Sequence, residues 1–218
     1  ALEQALAAGW IDRWLIVSRG DSTLRGHFPL EVQVIAEELG PFDATLLAPA
    51  FLPGGRTTVD GLHLLQGEPV HTTPFAADRL FGFSHSFLPA WVEEKSAGRI
   101  PAAAVQRIGL AELDAADQAP DGAAALRDRL AGFCGNAVVA VDAELPHQLA
   151  ALGAAVRDVT QPDPVPHARE DCPRRLLFQS AASLLNGLVP LPPQPLDAAG
   201  LAGLRRRDAS GAPLSGLV

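Results

Sequence analysis

Methionine is absent from the chain, and of its 17 basic residues only Lys95 is a lysine. A natural polypeptide starts with methionine, so the 218 residues are expected to be an excised or processed portion of something longer. The near-absence of lysine, beside many arginines and alanines, reads as compositional bias rather than function. A formal charge of −8 excludes a general nucleic-acid or anionic-membrane surface, because neutralising phosphates takes clustered cations. Isolated arginines can still hold a small anion. The two cysteines, Cys134 and Cys172, have no metal-ligand spacing and no histidine cluster beside them, so both are expected free, in a reducing cytoplasm. No apolar run is long enough to span a bilayer, and residues 1–10 lack a signal-peptide layout. Walker A and Gly-x-Gly-x-x-Gly patterns are missing, as is any repeat of solenoid or propeller period.

What is present is a chain 48% hydrophobic, enough for a substantial core. Trp14-Leu15-Ile16-Val17 is too short for a helix and reads as the end of a buried strand running from Arg13 to Ser18. A polar loop follows, then Pro29 and a helix over 30–39 with Leu30, Val34, Ile35 and Leu39 on one face, stopped by Gly40 and Pro41. Residues 44–51 read as a second strand, giving a parallel crossover. A loop over 52–58 comes next, and then a hairpin-like excursion around 58–72, with strands at 59–65 and 68–72. His63 and His71 lie in it without zinc spacing, each a satisfied or surface histidine rather than a ligand. Phe75, Phe81, Phe83 and Phe87 wall a satellite core. Helices are expected at 86–96, 122–133, 146–156 and 181–188, and strands at 105–110, 137–141 and 175–180. Residues 160–173 form a surface connection, and the Pro-rich tail reads as a linker. The fold class is α/β: a mostly parallel sheet flanked by helices in three layers.

The chemistry concentrates in Ser18-Arg19-Gly20-Asp21-Ser22-Thr23-Leu24-Arg25-Gly26, where the first strand ends. Open α/β sheets bind ligands at the carboxyl ends of their strands. Arg19 and Arg25 offer planar forks for carboxylate or phosphate, Ser22 and Thr23 offer hydroxyls, and Gly20 and Gly26 allow close backbone approach. Asp21, held beside two arginines, could orient a sugar hydroxyl, accept its proton, or lock an arginine in place. Alternatively, Asp21, Ser22 and Thr23 only make turn and capping hydrogen bonds. Pro53-Gly54-Gly55-Arg56-Thr57-Thr58 leaves the same sheet edge and either completes an anion pocket or is a plain turn. Asp142 and Ser180 also end strands, with helix-capping duty as the other reading of each.

With Ser18 to His27, Pro53 to Thr58, and the stretch from Phe75 and Phe83 to Trp91-Val92-Glu93-Glu94-Lys95, the chain resembles the four-carbon acid sugar kinase family. The likeness is to that family's sugar-binding N-terminal domain, once a domain of unknown function and sometimes labelled a type III effector. It covers nearly the whole chain. The resemblance implies ATP-dependent phosphorylation, with Mg2+, of a hydroxyl on an erythronate, threonate or 3-oxo-tetronate. It places Asp21, Ser22, Thr23, Arg25 and Gly26 in the substrate pocket, with Gly55 and Arg56 beside it. The family's opening Asp-Asp-x-Thr-Gly stretch and its closing Gly-rich nucleotide-binding domain do not occur here. Residues 1–190 are therefore expected to be a sugar-acid-binding domain lacking its first strand, and 191–218 a linker towards the nucleotide domain. ATP would be bound mainly outside this chain, which alone is expected to be inactive. The implied partner is a small sugar acid, with no nucleic acid or membrane and a homodimer left open. The alternative is a non-catalytic protein-interaction module. A hydrolase or lyase using Asp21 and His27 is a third reading, and it needs both side chains to reach a common point.

Overall fold

The computed structural model describes residues 2–11, 14–20, 23–161, 173–189, 196–212 and 214. Asp21, Ser22 and Cys172 lie outside them, as does most of the expected 160–173 connection.

Five strands, β1 (Ile16–Ser18), β2 (Ala44–Ala48), β6 (Gln106–Ile108), β7 (Ala137–Val141) and β8 (Leu176–Ser180), form one parallel sheet in the order β1-β8-β2-β7-β6. Strands buried on both faces need continuous runs of non-ionic residues. Every residue of β2 and β8 is buried, and these two strands sit side by side within the sheet. The three-residue β1 and β6 take the edges.

Alternation along the central strands divides the core in two. On one face Leu46, Phe178, Val139 and Val141 pack with Leu113, Leu126, Leu152 and Leu184. These come from helices α4 (Leu110–Gln118), α5 (Pro120–Ala131), α6 (Pro146–Thr160) and α7 (Ser183–Leu188). On the other face Leu47, Leu177 and Ala140 meet Val32 of α2 (Leu30–Leu39), Trp91 of α3 (Leu88–Lys95), and Leu24 and Phe28 of the first loop. Full burial of each large apolar side chain contributes about 1.5–3 kcal/mol, so the two layers together hold the sheet. Phe83 is buried in the second cluster and Phe75 packs against it, so these rings join the layer on the sheet instead of a separate satellite core, whereas Phe87 stays exposed.

Several expectations shift. The sheet order was not foreseen: β8 inserts between β1 and β2, so the β1-α2-β2 crossover skips the place β8 fills. Residues 105–110 are not all strand, because Gly109 caps the unforeseen helix α4 and takes Leu110 into it. The excursion is a second, antiparallel sheet of β3 (Arg56–Val59), β4 (Leu62–Leu65) and β5 (Glu68–Pro69). Its turns are Asp60-Gly61 and Gln66-Gly67, each with both residues at positive φ, as the two-residue type I′ turn requires. The tail carries a short exposed helix α8 (Ala198–Gly203), whose Gly200 N–H is capped by Asp197. Helix α1 (Leu2–Ala7) precedes the sheet. Among the described residues, no helix is long and apolar enough to cross a membrane.

Candidate functional site

Parallel strands end at one edge, so Ser18, Ala48 and Ser180, the last residues of β1, β2 and β8, share it. Both candidate loops leave from here. Arg19 and Gly20 are exposed, and the Glu31 carboxylate of α2 lies so close to Gly20 that a Cβ there would displace it. Thr23 and Leu24 then sit at φ 59° and 58°, a left-handed backbone that costs a non-glycine residue about 1–3 kcal/mol and persists where the surroundings enforce it. Leu24 is fully buried, which holds the loop down.

The second loop is closed by the pair Phe51 and Arg56. The Phe51 N–H donates to the Arg56 carbonyl at 2.9 Å and the Arg56 N–H to the Phe51 carbonyl at 3.1 Å. Residues 52–54 form one 3-10 turn, and Gly55, at φ 67°, reverses the chain. Arg56, Thr57 and Thr58 therefore belong to strand β3, not to the loop. The Arg56 guanidinium stacks over the Phe51 ring at 4.7 Å and donates to Thr23 Oγ1. The two loops named from sequence are thus joined through Thr23 and Arg56.

Arg25 faces a different wall. Its guanidinium pairs with Asp78 at 3.5 Å and lies over the Phe75 ring at 4.8 Å, with 29% of the side chain exposed. Backbone N–H groups of Phe81 and Leu80 hold the Asp78 carboxyl below its usual range, so the acid beside Arg25 stays ionised. Gly26 is buried; His27 is exposed, with its ring edge-to-face to Phe81 at 4.9 Å.

Asp142, at the end of β7, is not a helix cap: it accepts the Gly61 N–H at 2.8 Å and ties the β3-β4 turn to the sheet. Burial pushes its carboxyl up, against the N–H donors. His63 is wholly buried, its Nδ1 3.0 Å from Thr58 Oγ1. Burial first, then the Arg56 charge, lower its pKa to about 3, so the imidazole is neutral. Among the described residues its Nε2 has no partner, so it is neither the surface histidine nor the fully satisfied one expected from sequence.

Sequence reasoning missed two buried polar residues at the same edge, Ser18 as a side chain and Gln179. The signal was there: polar residues closing the apolar runs 14–17 and 176–178. Ser180, which was named, is buried with its hydroxyl unpartnered. It lies in register with Ala48, on the face opposite Gln179.

Residues 1–188 match the model of the Sugar-binding N-terminal domain. A D-threonate kinase of Cupriavidus necator is 33% identical over 146 residues, 65% of this chain and 31% of that protein. A D-erythronate kinase of Heliobacterium modesticaldum is 38% identical over 64 residues, 29% of this chain and 15% of that one. The chain thus spans less than a third of the length of these relatives. Among solved structures, a domain of unknown function from Bordetella bronchiseptica, a domain-swapped dimer with bound citrate, superposes at a TM-score of 0.58. It shares 24% identity, over 86% of this chain and 38% of that one. A Haemophilus influenzae protein superposes at 0.54 with 18% identity, over 85% and 39%. The fold is therefore one already seen in solved structures, and the chain belongs to the family of sugar-binding N-terminal domains.

Proposed function

We propose that this chain is the substrate-binding portion of an ATP-dependent kinase acting on a four-carbon sugar acid of the erythronate, threonate or 3-oxo-tetronate type. The observation that carries the reading is the Arg56–Thr23 hydrogen bond, which makes one polar rim of two loops at a parallel sheet edge. The names of the two kinase relatives support the substrate class.

In this reading Arg25 and Arg19 take the carboxylate, with the planar fork that suits it. Ser22, Thr23 and the backbone at Gly26 and Gly55 meet hydroxyls, and Arg56 fixes Thr23 in place. Asp21 orients the reacting hydroxyl and takes its proton, the role of the acid in phosphoryl-transfer sites. Among the described residues, no group of three or more His, Cys, Asp and Glu could hold a metal ion. No loop has the Walker A pattern. In this reading nucleotide and Mg2+ are held mainly outside these residues, and the chain's own part is to bind the acid, exclude water from it and position one hydroxyl. Residues 1–190 are the binding domain in this proposal, and 191–218 the linker.

Isothermal titration with D-erythronate and D-threonate tests it. Saturable binding is expected, and Arg25→Ala weakens it about 10- to 100-fold, the worth of a charge-assisted hydrogen bond. Unchanged affinity in that variant contradicts the assigned pocket.

A further inference from the structure

Gln179 is fully buried, and among the described residues neither its amide nitrogen nor its amide oxygen has a hydrogen-bond partner. Ser18, 5% exposed, has an unpartnered hydroxyl as well. The two are register partners on the adjacent parallel strands β1 and β8. Register partners point to one face, and alternation places Gln179 with Leu177, on the side where Leu24 and Phe28 pack. The pair therefore lies under the first loop, at the edge where both loops begin.

Buried side-chain amides and hydroxyls nearly always find a partner, and an unpaired one is costly. Among the described residues Trp91 Nε1, Ser180 Oγ and His63 Nε2 are also unpartnered, but none of them is the register partner of another such residue. At Ser18 and Gln179 the unmet capacity is doubled on neighbouring strands, and together it amounts to donors and acceptors with no charge. A hydroxyl, which both gives and accepts a hydrogen bond, fits such a neutral pair. A carboxylate does not, because a buried charge needs a countercharge. The arginines at the rim supply one; the floor does not.

We infer that Ser18 and Gln179 are the floor of the sugar-acid site and read one hydroxyl of the substrate, separating polyol acids from their deoxy counterparts. This rests on the proposed function. Ser18 runs directly into the exposed Arg19 and Gly20, so the pair adjoins the rim where the two loops begin. A site built to hydrogen-bond a hydroxyl rejects the analogue that lacks it, since its own groups are then left unpaired.

The test measures affinity for D-erythronate, D-threonate, 2,4-dihydroxybutanoate and 3,4-dihydroxybutanoate, with melting temperature, on the whole chain and on Gln179→Leu and Ser18→Ala. The wild type is expected to prefer a trihydroxy acid over one of the deoxy acids by tenfold or more. Gln179→Leu should lose that preference, bind the trihydroxy acid at least tenfold more weakly, leave the deoxy acid unchanged, and melt higher, because an unpaired amide is gone. Ser18→Ala should shift the preference in the same direction, several-fold. If both variants keep the wild-type preference, the floor is not a reader and the inference falls while the sugar-acid site stands. A lower melting temperature with binding intact means the amide is satisfied within the fold, by a buried water for instance, and has the same consequence. If the wild type binds none of the four acids, the proposed function falls and takes the inference with it.

Discussion

The Arg56 guanidinium, stacked on Phe51, donates a hydrogen bond to the hydroxyl of Thr23, 33 residues away in sequence. The contact ties a strained loop after β1 to the first residue of β3 and so couples the two segments that carry the candidate site. A double-mutant cycle with Thr23→Val and Arg56→Ala should return a coupling of about 0.5–3 kcal/mol in denaturant unfolding, the range for residues in contact. Amide exchange over 23–26 should quicken in both single variants. Additive effects within a few tenths of a kcal/mol would mean that the contact does not hold the loops.

His63 supplies a pH prediction. Its pKa falls from the ordinary 6.5 to about 3, through burial and then the neighbouring Arg56, so between those values the unfolded chain binds a proton that the folded chain refuses. The stabilisation from a neutral His63 is whole above pH 6.5 and is lost as pH falls towards 3, with a slope approaching 1.4 kcal/mol per unit. Urea titrations at pH 7, 6, 5 and 4 should show a steeper loss in the wild type than in His63→Gln. Equal slopes would refute a buried neutral imidazole.

Asp142 distinguishes a hydrogen bond from a charge. Burial raises its carboxyl, so holding it ionised costs stability as pH rises through the carboxylate range, while the Gly61 N–H still needs an acceptor. Asp142→Asn keeps an acceptor and drops the charge, so at pH 7 it should unfold no more easily than the wild type. Asp142→Ala orphans the Gly61 N–H and should cost about 1–3 kcal/mol. A destabilised Asn variant would show that the charge itself is needed.

Much of the fold was legible because composition alone dictates it. Ala137 to Val141 is an apolar run between polar turns and could only be a buried strand; it is β7 with the expected bounds. Strand order was not legible, since nothing local to Leu176–Ser180 says that it pairs with β1 on one side and β2 on the other. The β3-β4 turn was legible and misread: Asp60-Gly61 between β-branched Thr57, Thr58, Val59 and apolar Leu62 is a strong hairpin signal, yet the expected strand ran across it. At the site, arginines and small polar residues marked the two loops. That Arg56 reaches Thr23 while Arg25 turns to Asp78 and Phe75 depends on the tertiary path of both.

Helices α6 and α7 meet at glycines. A Cβ on Gly153 would stand 1.9 Å from the Gly187 carbonyl oxygen, an atom of rigid backbone that already accepts from Arg157 at 2.8 Å. Gly153→Ala should therefore lower stability by at least about 1–3 kcal/mol through overpacking, although alanine is the better helix former. A neutral or stabilising result in thermal unfolding would contradict the close approach.

The central claim is that the two loops at the sheet edge are a receptor for a small sugar acid. Backbone amide chemical shifts of 15N-labelled protein, followed during titration with D-erythronate and D-threonate, test it most directly. Saturating shifts are expected at residues 18–26 and 51–58, with Gln179 moving alongside them. No saturating shift with either acid, or shifts clustered elsewhere on the molecule, would contradict it.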